Sequence, residues 1–259
     1  MSIHSIVCIK SVVRAAADGV GRRTPDNSEL NPFDRPALEA ALQLKADQGG
    51  TVTVLTMGPP VGAEALAEAL AMGADRAVLI SDTALAGSDT LVTARVLATA
   101  IDAIGPWDLL FFGTRSSDSD TGQVGPQTAA VLQRPFVGGV NRIARGEQGW
   151  ELQRLMDDWE EVWQAPAPVV VTIHPMAFKP RAISLPGIAE AYACPAVEHW
   201  GLDRLALTAD QVGLNGSPTR VARLQKVVRD RTCRMLEGEP PQQVAALVDH
   251  LERMGVMGS

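Results

Sequence analysis

Residues Gly113 to Gln127, GTRSSDSDTGQVGPQ, carry the densest set of groups able to do chemistry in this chain. The apolar run Leu109-Leu110-Phe111-Phe112 stops at Gly113, and a stretch dominated by Ser, Asp, Thr and Gly follows before a helix-like segment near Gln127. A buried strand that opens into a small-residue loop at a helix start is where open α/β sheets bind nucleotides. Backbone N–H groups in such a loop approach phosphate oxygens closely, and the helix N-terminus favours the negative charge. The same composition also suits a polar turn whose Ser and Asp cap the helix.

The elements around this loop alternate. Ser5 to Ile9 reads as a short buried strand, followed by a polar loop from Lys10 to Leu30. Asp34 is placed to N-cap a helix, with Pro36 in its first turn and Ala37, Leu38, Ala41, Leu42 and Lys45 at helical spacing. Gly49-Gly50 ends that helix, Thr51 to Met57 is a strand, and Gly58-Pro59-Pro60 breaks it. A helix over 63–72, the strand AVLI within 75–81, a helix over 89–104 and a strand over 107–112 follow. This alternation indicates a doubly wound, mainly parallel sheet of Rossmann-like α/β class.

Past Val137 the pattern changes. Residues 141–162 read as a strand pair carrying Trp150 and Trp159, with Trp163 just beyond, and Val169 to Ile173 as a buried strand. Beyond Pro175 the prolines at 180, 186, 195 and 218 suggest an extended arm, closed by an amphipathic helix over 241–254 with Val244, Leu247, Val248 and Leu251 on one face. The expected division is an α/β domain over 1–175 and an arm over 176–259 that packs on another subunit, an arm folded back on its own domain being the plainer reading.

Bulk properties narrow the function. The net charge of −7 and an aromatic content of 4% argue against a nucleic-acid groove. No apolar run is long enough to span a bilayer, and no signal pattern opens the chain, so a cytoplasmic protein is expected. Cys8, Cys194 and Cys233, like the four histidines, lie in no metal-type spacing. No side chain stands out as a nucleophile beside a base, so no catalytic residue is assigned.

Eight segments in register resemble the β subunit of electron-transfer flavoproteins over nearly the whole chain. They are VCIK from Val7, NPFD from Asn31, MGPP from Met57, ALAMGADRAVLISD from Ala69, SDSDTGQVGP from Ser117, PRAISLPGI from Pro180, GLNGSPTRV from Gly213, and LEG from Leu236. The resemblance implies an adenine-nucleotide-binding subunit paired with an α subunit that carries the redox-active FAD, passing electrons from a dehydrogenase to another redox partner. A universal-stress-type nucleotide-binding module is the alternative of another class. It shares this kind of sheet but would not need the arm.

The resemblance also implies a nucleotide site. Its parts are Cys8, facing the adenine through its backbone; Asn31, Pro32, Phe33 and Asp34; Met57; and the loop of Gly113, Thr114, Arg115, Ser116, Ser117, Asp118, Ser119, Asp120, Thr121, Gly122, Gln123 and Val124. Phosphate contacts are expected at Thr121 to Val124, while Asp118 and Asp120 hold the loop's shape. Cys8 and Met57 are equally credible as core and Asn31 as a turn residue. Arg115 is a cation for a phosphate or flavin ring, or else pairs with Asp118 or Asp120. The wording DSDTGQVGP, from Asp118, lies closer to members that hold a second FAD in this subunit and bifurcate electrons than to members that hold AMP. Ser119 and Gly122 depart from the former. Ser184, Leu185 and Pro186 match the recognition loop whose leucine enters a pocket on a partner dehydrogenase; a buried loop leucine is the plainer reading. Trp159 and Trp163 either contact a partner or cover the core edge.

Overall fold

The computed structural model describes residues 2–13, 24–147, 149–193, 196–223 and 233–256. Cys194 and Pro195, part of the polar loop after Ile9 (residues 14–23) and residues 257–259 lie outside the described residues. Two compact units divide after Ala222.

In the first unit the alternation expected from the sequence forms a nine-stranded sheet. Its strands are β1 (Ile3–Cys8), β4 (Gly50–Met57), β5 (Arg76–Ile80), β6 (Leu109–Gly113), β7 (Phe136–Gly146), β8 (Gly149–Met156), β9 (Trp159–Ala165), β10 (Val169–Ile173) and β11 (Val197–Trp200). The spatial order is β11-β5-β4-β1-β6-β10-β7-β8-β9. Pairing is parallel from β11 through β7 and antiparallel along β7-β8-β9. A second sheet pairs β2 (Ser11–Val13) with β3 (Ser28–Leu30), within what the sequence reads as loop.

The helices are α1 (Arg35–Gln48), α2 (Ala63–Met72), α3 (Thr90–Ile104), α4 (Val124–Leu132), α5 (Leu185–Ala193) and the short α6 (Gly213–Gly216). Both faces of the sheet are covered, so its central strands are apolar on both sides. Val7, Val54, Leu79 and Phe111 join Leu38 of α1 and Leu66 of α2 in one core layer. Ile6, Leu55, Val78, Leu110 and Phe112 join Val96 and Ile101 of α3 in the other.

Three features differ from the sequence reading. The strand pair is a three-stranded meander, because β7 begins at Phe136, ahead of the expected start at residue 141, and β9 adds a third strand. Helix α4 starts at Val124 rather than near Gln127: Pro126 is tolerated in a first turn, and Gly125 lets the helix approach Thr172 and Phe112. The stretch beyond Pro175 is not extended throughout, since it forms α5 and then β11, parallel to β5 at the sheet edge. The 175/176 boundary therefore falls inside the first compact unit. In the second unit α7 (Pro240–Arg253) forms as expected, with Val244, Leu247 and Val248 exposed. Among the described residues no helix is long and apolar enough to cross a membrane, and no metal-binding cluster is found.

Candidate functional site

The chain leaves β1 toward β4 and β5, then returns to place β6 on β1's other side. The loops after β1 and β6 thus part from each other at the carboxyl edge, the position where doubly wound sheets hold ligands. Cys8, Met57 and Gly113 all end strands there, with Cys8 in register with Leu55 and Phe112. After β1 the chain loops out through the β2–β3 pair and returns at Asn31, whose N–H donates to the Lys10 carbonyl at 2.9 Å. Asn31 to Asp34 and Gly113 to Gln123 therefore face one crevice.

Asp34 is the keystone of that crevice, and not through capping. Its side chain makes no cap bond to α1. Oδ2 instead accepts the Lys10 N–H at 2.7 Å, and the carboxyl also accepts the Gly113 N–H. The strand-end amides outcompete the helix because they are buried with it, and a buried donor must be paired. Burial raises the Asp34 pKa to about 7, against the lowering pull of bonds from Asn31, Lys10 and Gly113 and of the Lys10 charge. Burial first, and the Asp34 charge second, push the neighbouring Cys8 thiol well up. Cys8 is thus a neutral core side chain, leaving its backbone at the crevice.

Gly113 fits between these groups only because it lacks a side chain. A Cβ there would stand 2.3 Å from Asp34 Oδ1 and 2.5 Å from the Phe33 carbonyl. Asn31 is buried, and its amide spans to the opposite loop: Nδ2 donates to the Arg115 carbonyl at 2.9 Å, and Oδ1 accepts the Ser117 N–H at 3.2 Å. Both ends of the amide bond loop backbone, and its N–H also supports the Asp34 carboxyl, so Asn31 holds the loop rather than offering a free edge. Pro32 is exposed beside it, and Met57 packs partly buried against the core.

Within the loop the Asp120 N–H donates to the Ser116 carbonyl at 2.9 Å, and the Ser116 and Ser119 hydroxyls bond at 2.8 Å. Asp120 and Gly122 lie in the left-handed region, at φ 53° and 63°. These turns carry Thr121, Gly122 and Gln123 to the start of α4. Among the described residues their backbone N–H groups donate to no other group. Arg115 Nη1 lies 3.3 Å from Asp120 Oδ1, and its guanidinium lies 4.5 Å from the Phe33 ring centre.

A second cation stands at the crevice that sequence reasoning missed. Lys10 Nζ lies 2.7 Å from Asp118 Oδ1 and 3.3 Å from each of the Ser116 and Ser119 hydroxyls. Its signal was positional, since it follows directly on the strand whose end forms the switch point.

The residues expected to meet a dehydrogenase, Ser184 to Pro186, lie elsewhere. Ser184 accepts the Gly187 N–H through its hydroxyl at 3.1 Å and the Ile188 N–H through its carbonyl at 2.9 Å. Leu185, the first residue of α5, is 82% exposed, and Pro186 sits in the first turn where a missing N–H costs nothing. The helix packs closely on α2: a Cβ on Gly187 would stand 2.6 Å from the Ala71 carbonyl. Trp159 and Trp163 are exposed on edge strand β9, where Arg154 lies over Trp163 and pairs with Glu161.

A doubly wound α/β sheet with a glycine-bearing loop at its switch point places the chain in the Rossmann-like α/β class, whose ligands lie at that edge. Comparison with known proteins then narrows the class. The family described as "Electron transfer flavoprotein domain" matches residues 21–199. A protein named electron transfer flavoprotein subunit beta, from Thermoanaerobacterium thermosaccharolyticum, is 37% identical over 89% of this chain and 88% of its own. The acryloyl-CoA reductase electron transfer subunit gamma of Anaerotignum propionicum is 36% identical, covering 97% and 98%. Protein FixA of Bradyrhizobium diazoefficiens is 37% identical, covering 95% and 90%. This chain belongs to the electron transfer flavoprotein family, on its β-subunit side, and its role is electron transfer. That membership sets aside the universal-stress-type alternative.

Proposed function

We propose that the crevice between the β1 and β6 loops holds the adenine-nucleotide part of an FAD, in a subunit that pairs with an FAD-bearing α subunit. The observation that carries this reading is the backbone N–H run of Thr121 to Gln123, unpaired among the described residues and leading from the loop after β6 into α4. Free donors at a helix start, with Lys10 and Arg115 nearby, fit a diphosphate. Thr121, Gly122, Gln123 and Val124 would hold the phosphates. The ends of β1 and β4, at Cys8 and Met57, and the Asn31 to Asp34 turn would frame the adenine and ribose. The bound isoalloxazine would supply the redox chemistry, taking up and releasing electrons, while this chain sets its place.

FAD is favoured over AMP by the wording DSDTGQVGP at Asp118 to Pro126. A relative from Acetobacterium woodii, 39% identical over 89% of this chain, is named as a subunit of a caffeyl-CoA reductase–Etf complex. Bifurcation of electrons by this protein follows as part of the same reading. The flavin count tests it: the purified heterodimer should release a second FAD on extraction. One FAD with an equivalent of AMP would sink the assignment.

The exposed Leu185 is the anchor for a flavin dehydrogenase. Held at the head of a helix between a capping serine and a proline, it loses little freedom on docking. Leu185→Ala should slow electron transfer from that dehydrogenase by about tenfold while leaving the melting temperature unchanged, as expected when a docking hot spot is truncated. Unchanged transfer by a folded variant would remove Leu185 from the docking surface.

A further inference from the structure

Lys10 stands on the loop after β1, yet its side-chain bonds to Ser116, Asp118 and Ser119 all reach the loop after β6, across the mouth of the crevice. An ammonium has three N–H donors, and these oxygens supply one acceptor for each. The two hydroxyls are themselves bonded at 2.8 Å, and the Asp120 N–H closes the turn onto the Ser116 carbonyl. The ammonium is therefore seated in a small cage made by one turn of the loop. The chain that leaves this turn passes straight to Thr121, Gly122 and Gln123.

We infer that Lys10 is a positioning residue for the phosphate-binding stretch. It acts through the Ser116–Asp118–Ser119 turn rather than by touching the phosphate itself. The inference rests on the proposed nucleotide site and adds to it the group that shapes its phosphate wall. Three observations support action through the turn. All three donors of Lys10 are already engaged, the tether joins segments more than a hundred residues apart, and the left-handed turn at Asp120 and Gly122 lies immediately beyond the seat. An exposed ion pair alone would be worth little, but here a charged group ties a loop whose shape is needed for binding. A loop that must be ordered at the moment of binding lowers affinity by the entropy of ordering it.

The test uses the full chain stripped of bound nucleotide and titrated with AMP, FAD and adenosine. Lys10→Met should weaken AMP and FAD by about tenfold, as for loss of a charge-assisted anchor, and leave adenosine nearly unchanged. The double variant Ser116→Ala/Ser119→Gly keeps the charge but dismantles the seat, and it should reproduce that pattern. If the double variant binds AMP as well as the parent while Lys10→Met does not, Lys10 contacts the phosphate directly and the positioning role is wrong. An equal loss for adenosine would reduce Lys10 to a general structural part, and no loss in either variant would dismiss the tether. Should the parent chain bind neither AMP nor FAD, the nucleotide site itself fails.

Discussion

Gly113→Ala should destabilise the protein by about 3 kcal/mol or more, an overpacking cost at the upper end of the usual range, and should release the nucleotide that the proposed site would hold. The added methyl would lie 2.3 Å from Asp34 Oδ1 and 2.5 Å from the Phe33 carbonyl. Neither neighbour can yield cheaply. The carbonyl is backbone at the head of α1, and the Asp34 side chain is short and already bound to the Lys10 N–H at 2.7 Å. Relief must come from moving the Asn31–Asp34 turn away from the end of β6, which widens the crevice and drags Asn31 off the Arg115 carbonyl and Ser117 N–H. Gly58→Ala is the matched control, because a Cβ there meets nothing within 4 Å. That change should stay within about 0.5 kcal/mol. Urea denaturation of the two variants, with absorbance of the retained nucleotide, measures both effects. Equal stabilities would show that the β6 end relaxes without cost and that Gly113 is not the narrow point of the crevice.

Much of this arrangement is legible in the sequence, and the division between legible and hidden parts has a physical basis. Strands such as Thr51 to Met57 and Val169 to Ile173, and the helix over 63–72, are signalled by local apolar pattern and glycine punctuation, and the fold reproduces them. The strand end at Gly113 is legible for the same reason: a buried run gives way there to small polar residues, and β6 ends at that glycine. What stayed hidden depends on partners far along the chain. Asp34 looks like a helix cap because the residues after it are helical, and only the packed sheet shows two strand-end amides competing for its carboxyl. Lys10 looks like any residue after a strand until the loop some hundred residues later folds over it. Strand β11 is four residues long and follows proline-rich chain, so nothing local announces that it finishes the sheet edge. The tie between Arg76 and Glu198, at 2.6 Å, helps to fix it there and is likewise visible only in the fold.

Asp34 should also make stability fall as pH rises toward neutrality, against the habit of buried carboxylates in ion pairs. Burial lifts its pKa from 3.8 to about 7, so the folded protein keeps the proton over a range in which the unfolded chain has released it. More protons bound in the folded state means that raising the pH favours unfolding. The stabilisation is therefore complete below the unfolded value of 3.8, declines through the window, and is gone above about 7. Between about pH 5 and pH 8 the loss from this one group should be about 3 kcal/mol. Glu39, Asp89, Glu161, Glu198 and Asp210 are shifted the other way, each held low by hydrogen bonds. Their contributions vanish only as pH drops through the ordinary carboxylate range, so among these shifted carboxyls the neutral window belongs to Asp34. Asp34→Asn separates the charge from the bonding. Its amide keeps one acceptor for the Lys10 or Gly113 N–H but turns a donor toward the other, so it should cost about 1–3 kcal/mol at pH 5. At pH 8 the parent bears the buried charge and the variant does not, so the two stabilities should converge or cross. Denaturation midpoints across this range decide the matter. If parent and variant fall in parallel, the carboxyl is already ionised at pH 5, and the meeting point of the two crevice loops is an anion held by amides rather than a proton held by burial.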